Sequence, residues 1–242
     1  DSVFNAINKS MSTYISTSDI SKINAGDSTV VVDAMFKEVF EASKKVYERT
    51  KGHFDPTVGV LVNAWGFGPG KQIELDSVKI DSLLAYVGFD KIRLKDDHTI
   101  HKSNANIILD FNAIAKGYAV DRVAALLDKK NIKNYLVEVG GELIAKGENK
   151  VKNKKYVVGI DNPVANDRSV PVAKVNLKDK ALASSGNYRH FREDALTGKK
   201  YVHTVDSLTG YTKNSNVIGV SVLANTCAEA DAYATAFMAM DL

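Results

Sequence analysis

Ile107-Ile108-Leu109-Asp110-Phe111-Asn112-Ala113-Ile114-Ala115-Lys116-Gly117-Tyr118-Ala119-Val120-Asp121 is the stretch on which the fold turns. A β-branched, apolar run ends on a carboxylate, and a helical pattern with a lysine and a glycine in its first turns follows at once. The order predicts a strand, a tight turn and a helix. Such a switch aims the free N–H groups and the positive dipole end of the helix at whatever lies in front of it. Asp110 and Lys116 are six residues apart and flank that spot, so a metal or sugar hydroxyl and a phosphate can both be served there. The segment reads as a site for a phosphate-bearing ligand. It carries neither the G-x-G-x-x-G dinucleotide fingerprint nor a Walker A loop.

On either side of it, 242 residues provide enough chain for one large core or two small lobes. Apolar residues at 45% and charged residues at 25% are ordinary for a globular protein. A net charge of +3 with scattered lysines gives no footprint for nucleic acid. The densest basic run, Lys150 to Lys155, reads as a solvated hairpin tip. A single cysteine, Cys227, excludes an internal disulfide framework and a cysteine-ligated zinc site. No apolar run reaches the roughly 18 residues that span a bilayer. Opening at Asp1 and stopping in the helix-like run around Phe237 to Met240, the sequence reads as trimmed at both ends.

The first fifty residues read as helical. Phe36, Val39, Phe40, Ser43 and Val46 or Tyr47 follow the spacing of a buried helical stripe, which Gly52 and Pro56 terminate. A glycine-rich loop, Trp65 to Gly70, surrounds the only tryptophan. A short helix near Asp81 to Val87 leads into a hairpin of Lys91 to Leu94 and Thr99 to Lys102, turning at Asp96-Asp97. After the opening segment, strands are expected at Tyr135 to Val139, Leu143 to Lys146, Tyr156 to Ile160, Val170 to Val175, Ala181 to Ser184, Tyr201 to Val205 and Val217 to Leu223. Thr226-x-x-Glu229 is a capping-box pattern that starts a last helix. Helices, then strands, then a closing helix indicate α+β rather than regular βαβ alternation.

Five further blocks can carry chemistry. In Phe54-Asp55-Pro56-Thr57-Val58-Gly59 the aspartate shapes a turn or meets a ligand. In Val139-Gly140-Gly141-Glu142 the paired glycines admit a ligand to the backbone or simply make a hairpin. In Ser184-Ser185-Gly186-Asn187-Tyr188-Arg189 small hydroxyl and glycine residues offer donors to phosphate or ribose, while Tyr188 and Arg189 can cover a flat ring. In Tyr201 to Gly210, a strand puts His203 and Val205 on one face and Thr204 and Asp206 on the other. In the last helix, Asp231 and Thr235 are four apart and project from one face. Alanines too small to crowd an ion surround them. A carboxylate, a hydroxyl and a carbonyl from elsewhere make an all-oxygen site suited to Mg²⁺.

Taken together, in this order along nearly the whole chain, the blocks resemble the ApbE family of flavin transferases, bacterial enzymes that move FMN from FAD onto a protein threonine. Met11 to Tyr14 and Ser18 to Asn24 resemble its early flavin-side segment, and Asn63 to Gly68 extends its most recognisable loop. The resemblance implies one domain over 1–242 with a T-fold-like arrangement of mixed, largely antiparallel sheets, flanking helices and an FAD site between lobes. It implies FAD contacts at Tyr14, beside the isoalloxazine ring, at His53, Phe54 and Asp55, and at Asp110 and Lys116. Gly140, Gly141, Ser185, Gly186, Tyr188, Arg189 and Thr204 complete the flavin-nucleotide set. It implies Mg²⁺ held by Asp231, Thr235 and the backbone carbonyl of Ala113, with His203 as the catalytic histidine.

Two departures accompany the resemblance: the family's first strand, with its Met-Gly-Thr segment, would precede Asp1, and its final strands would follow Leu242. The client implied is a flavoprotein carrying an acceptor threonine, such as the flavin subunit of a redox pump. A periplasmic or cell-surface location is also implied, with a lipid anchor outside this sequence as the membrane tether. His203, as a neutral imidazole, is the base expected to take the threonine proton. Two other activities fit the same residues. Water in place of threonine makes an FAD pyrophosphatase, and binding without turnover makes an FAD-holding module.

Overall fold

The computed structural model describes residues 2–165, 170–188, 191–193, 198, 200–213 and 215–240. Three helices open the chain: α1 (Ser2–Met11), α2 (Asp19–Asn24) and α3 (Ala34–Arg49). Helices α4 (Gly59–Ala64) and α5 (Ser77–Leu84) precede a hairpin of β1 (Ile92–Leu94) and β2 (Ile100–Lys102). Helix α6 (Asn112–Lys129) follows, then β3 (Tyr135–Val139), β4 (Glu142–Lys146), β5 (Tyr156–Ile160), β6 (Ala173–Leu177) and β7 (Lys180–Gly186). Last come β8 (Phe191–Glu193), β9 (Lys200–Val202), β10 (Gly219–Ala224) and helix α7 (Cys227–Ala239). Strands β10, β7, β4 and β3 lie side by side in that order as one antiparallel sheet, while β5–β6 and β8–β9 are separate antiparallel pairs. The architecture is α+β, as expected. No helix among the described residues is long and apolar enough to cross a membrane.

Helix α3 forms where its period places it. Asp33 caps it by accepting the Phe36 N–H at 2.7 Å, and Phe36, Val39, Phe40, Ser43 and Val46 are its buried face. Gly52, at φ 89°, sends its N–H back to the Tyr47 carbonyl and closes the helix. Phe36 meets Phe111 edge-on at 5.2 Å, which ties α3 to the start of α6. Those rings, with Ile20, Ile107, Leu109 and Ile114, fill the main core. A second cluster gathers around Trp65, and a third, of Leu143, Val158, Leu177 and Leu182, lies where β5–β6 covers one face of the sheet.

Helices α6 and α7 cover the other face and cross closely. A Cβ on Gly117 would lie 2.8 Å from Asp231 Cβ and closer still to the Cys227 carbonyl, so only glycine lets the two backbones meet. Asp121 of α6 accepts the Cys227 and Ala228 N–H groups at the start of α7, at 2.7 and 2.8 Å. Thr226 adds the expected cap through the Glu229 N–H. The alanines of α7, expected to leave room for an ion, are themselves buried and make this close packing.

Several elements differ from their sequence expectations. Ile107 to Asp110 is not a ladder strand; its sole bridge is a parallel one between Ile108 and Val58. Side chains take over its hydrogen bonds. Asn24 accepts the Leu109 N–H and donates to the Leu109 carbonyl, both at 2.8 Å, while Lys102 donates to the Ile107 carbonyl. The Asp110 N–H goes to the Pro56 carbonyl. The expected strand over 201–205 ends at Val202, and Val205 only bridges Thr212, so strand alternation does not set the direction of His203. Helix α5 begins before Asp81 because Asp76 caps it through the Lys79 N–H. Strand β6 starts at Ala173, beyond Pro171, which has no N–H for a ladder.

Asn24→Ala removes both partners of the fully buried Leu109 peptide groups. A loss of about 2–4 kcal/mol of folding stability is expected, at the cost of one unsatisfied buried donor and one acceptor. Urea denaturation of the variant against the parent checks it.

Candidate active site

A cavity of about 490 Å³ opens where six segments converge: the α1–α2 turn, residues 53–67, the start of α6 with α7, the β3–β4 turn, the exit of β7, and the loop after β9. Its wall includes Tyr14, His53, Phe54, Asp55, Asp110, Ala113, Lys116, Gly140, Ser185, Gly186, Tyr188, His203, Thr204, Asp231 and Thr235. Residues scattered over more than two hundred positions therefore share one space. Two expected members do not join them there. Gly141 is outside the wall, and Arg189 lies outside the described residues.

Helix α6 presents its first turn to the cavity through Asn112, Ala113 and Lys116. Asp110 Oδ1 accepts the Asn112 N–H at 2.7 Å and so fixes the entry to the helix. Burial pushes the Asp110 carboxyl up, against the lowering effect of that bond. Asn112 also donates to Thr13, which brings the exposed Tyr14 to the rim. The Lys116 ammonium lies 2.8 Å from Glu142 Oε2 as an ion pair, without the alignment of a hydrogen bond. Glu142 is buried, and desolvation raises its carboxyl while Lys116 lowers it.

Gly140 and Gly141, at φ 64° and 106°, make the two-residue turn that delivers Glu142 to this spot. Their hairpin reading is thus realised, and Gly140 additionally borders the cavity. Glu142 was legible only as the acid after a glycine pair and was assigned no contact. Val62 is a further wall residue outside the motif blocks, while Val58, Phe67 and Ser207 lie inside them and line the wall without having been assigned a contact.

Asp231 is a buried acid on the cavity wall. Its Oδ2 accepts the Gly117 N–H at 2.9 Å, and burial, with the Glu142 charge second, pushes its carboxyl up to about 7. In a regular helix the Gly117 N–H belongs to the Ala113 carbonyl four residues back. Asp231 shares that donor. Thr235, one turn along α7, faces the same cavity. A buried carboxylate short of positive charge, a hydroxyl and the Ala113 carbonyl, each on the cavity wall, fit a hard divalent cation such as Mg²⁺, which keeps water and ligand oxygens in its other positions. Among the described residues no three His, Cys, Asp or Glu side chains are clustered to hold a metal.

Asp55 turns its Oδ1 to the Thr57 N–H and hydroxyl, at 2.8 and 2.6 Å, and Thr57 in turn accepts the Gly88 N–H. Desolvation raises its carboxyl to about 6 despite those bonds. His53 Nδ1 is 4.0 Å from Asp206 Oδ1, too far for a hydrogen bond. Across the cavity, Tyr188 folds back over Gly186, where a Cβ would come within 2.5 Å of the ring. His203 is half-buried at the start of a loop that Ser207 ties to the Gly52 carbonyl and Trp65 ties to the Gly210 carbonyl.

The sequence profile described as the ApbE family matches residues 1–242. An FAD:protein FMN transferase of Haemophilus influenzae is 35% identical over 243 residues, covering 97% of this chain and 69% of that protein. One of Vibrio cholerae is 35% identical over 246 residues, covering 99% and 72%. The solved flavin transferase ApbE of Vibrio cholerae superposes with a TM-score of 0.84 at 32% identity, over 99% of this chain and 76% of that one. The ApbE protein of Thermotoga maritima superposes with a TM-score of 0.87 at 29% identity, over 99% and 77%. Match, identity and superposition agree: the chain belongs to the ApbE family.

Proposed function

We propose that this chain is a Mg²⁺-dependent FAD:protein FMN transferase that esterifies a threonine of a client flavoprotein and releases AMP. The observation that carries the reading is the convergence, in one cavity, of Lys116 and the α6 N-terminus, the Asp231–Thr235 pair and His203. The curated relatives named FAD:protein FMN transferase support it. In the reaction, the threonine oxygen attacks the phosphorus of the FMN half. A new phosphoester forms, and the bond to the AMP phosphate breaks with its electron pair leaving on AMP. His203 takes the hydroxyl proton. Lys116 and the helix dipole offset charge on the phosphates. Mg²⁺, held by Asp231, Thr235 and the Ala113 carbonyl, would supply charge neutralisation at the diphosphate. Tyr14 and Tyr188 offer faces to flat rings, while Phe54, Val58 and Val62 give the cavity an apolar wall. Export to the periplasm or cell surface, with a lipid anchor outside residues 1–242, belongs to the same proposal.

Mass spectrometry of a co-expressed flavin-acceptor domain is the decisive experiment. A gain equal to FMN on a threonine is expected. Release of FMN and AMP with the acceptor unlabelled would instead assign an FAD pyrophosphatase. His203→Ala should slow labelling by about 10²–10⁴-fold while FAD affinity, read by flavin fluorescence, stays near the parent's.

Asp231→Asn keeps the shape and removes the charge of the proposed ligand. Calorimetric Mg²⁺ titration in the presence of FAD should show affinity weakened by more than about tenfold. Unchanged affinity would remove Asp231 from the ligand set.

Asp55 predicts a pH dependence of stability. Its folded value of about 6 lies above the ordinary 3.8, so between those values the folded chain holds more protons than the unfolded one. Stability attributable to this group is greatest below about pH 4 and declines as pH rises to about 6, by about 3 kcal/mol in all. Asp55→Asn should flatten that slope and raise stability at pH 7, as read from denaturation midpoints across the range.

A further inference from the structure

We infer that Asn187 is a positioning residue for His203 in the transfer step. It stands between Gly186 and Tyr188, which both border the cavity, yet it is not itself part of the cavity wall. Its three polar groups each reach a different segment. The backbone N–H goes to the Ile218 carbonyl at 3.2 Å, just before β10. Nδ2 donates to the Lys213 carbonyl at 3.3 Å, and Oδ1 accepts the Thr204 hydroxyl at 2.7 Å. The Thr204 carbonyl in turn accepts the Lys213 N–H at 2.8 Å, which closes a ring of bonds around the residue that follows His203.

That ring matters because the His203 segment has left its strand. Among the described residues, the pairing of β9 with β8 ends at Val202. The downstream part of the loop is tied at Ser207 to Gly52 and at Gly210 to Trp65. At the residue that follows His203, the Thr204 hydroxyl ties the loop to Asn187. Thr204 is buried, so its hydroxyl has little access to water as a substitute partner. Asn187 thereby links the exit of β7, which rests on α7, to the backbone that carries the imidazole. A displacement of about 1 Å in such a group costs roughly 100-fold in rate without changing what binds.

The inference rests on His203 acting in the transfer, and the test separates the two. Asn187→Leu removes both side-chain bonds at similar volume. Asn187→Asp keeps an acceptor for Thr204 and loses only the donor to Lys213. Labelling of the acceptor domain is measured alongside FAD affinity by flavin fluorescence and the emission of Trp65, the only tryptophan, which reports loop docking. The expected result for Asn187→Leu is a kcat lowered by about 10–100-fold with FAD affinity within about twofold of the parent. Asn187→Asp should recover most of the rate.

Three results would overturn the inference: an Asn187→Leu rate equal to the parent's, loss of FAD binding in step with rate, or Asn187→Asp as slow as Asn187→Leu. His203→Ala at the parent rate would remove the role of His203 in transfer and this inference with it. A slow His203→Ala beside a fast Asn187→Leu would remove the inference alone.

Discussion

Everything in the site depends on how closely α6 and α7 approach at Gly117. With no Cβ at that position, the Cys227 carbonyl and the Asp231 side chain can lie against the helix backbone. The crossing is then fixed by two exchanges of opposite direction. Asp121 of α6 accepts the first N–H groups of α7, and Asp231 of α7 accepts the Gly117 N–H of α6. Each carboxylate pairs with donors that the other helix would otherwise leave in competition or unsatisfied. The result is a rigid corner whose open side is the start of α6, with Ala113, Lys116 and Thr235 all facing the cavity.

The corner is short of positive charge. Asp121, Glu142 and Asp231 are all raised by burial, and Lys116, half exposed at the mouth, is the cation paired with Glu142. A fold selected for stability alone would fill this volume with apolar side chains. The cost is tolerated where a cation and a phosphate-bearing ligand would balance it. Asp55, held by Thr57 yet raised to about 6, shows the same tension on the opposite wall. Buried acids raised by desolvation and by one another, bordering a cavity, are the physical mark of a working site.

Much of this was legible in the residues. The stripe of α3, the long helix after Asp110, the Gly140-Gly141 turn and the Thr226 cap each rest on local chemistry, and each forms where that chemistry acts. Ile107 to Asp110 and the residues after Val202 were misjudged for one shared reason. Their composition is that of strands, but their backbone hydrogen bonds go to partners other than the neighbouring strand. Asn24, eighty-five positions before Leu109, satisfies both of that residue's peptide groups. After Val202 the backbone of Thr204 to Asp206 turns to Tyr211 to Lys213 instead of continuing along β8. A strand is recognised by its own alternation; a segment held by someone else's amide leaves no period to read.

By itself, then, the sequence determined the α+β class, the main helices with their caps and glycine closures, and the list of polar residues gathered in short blocks. Those features depend on neighbours within a few positions, where periodicity, capping and turn chemistry act directly. Tertiary structure alone decided that the blocks share one cavity, that Lys116 pairs with Glu142, and that Asp231 takes a donor from α6. It also decided that Asn24 replaces strand pairing at Leu109. These outcomes turn on the crossing of α6 and α7 and on side chains far apart in the chain. Long-range packing sets both, because a hydrogen bond between distant residues is specified by where the whole fold brings them and by no local pattern at either end.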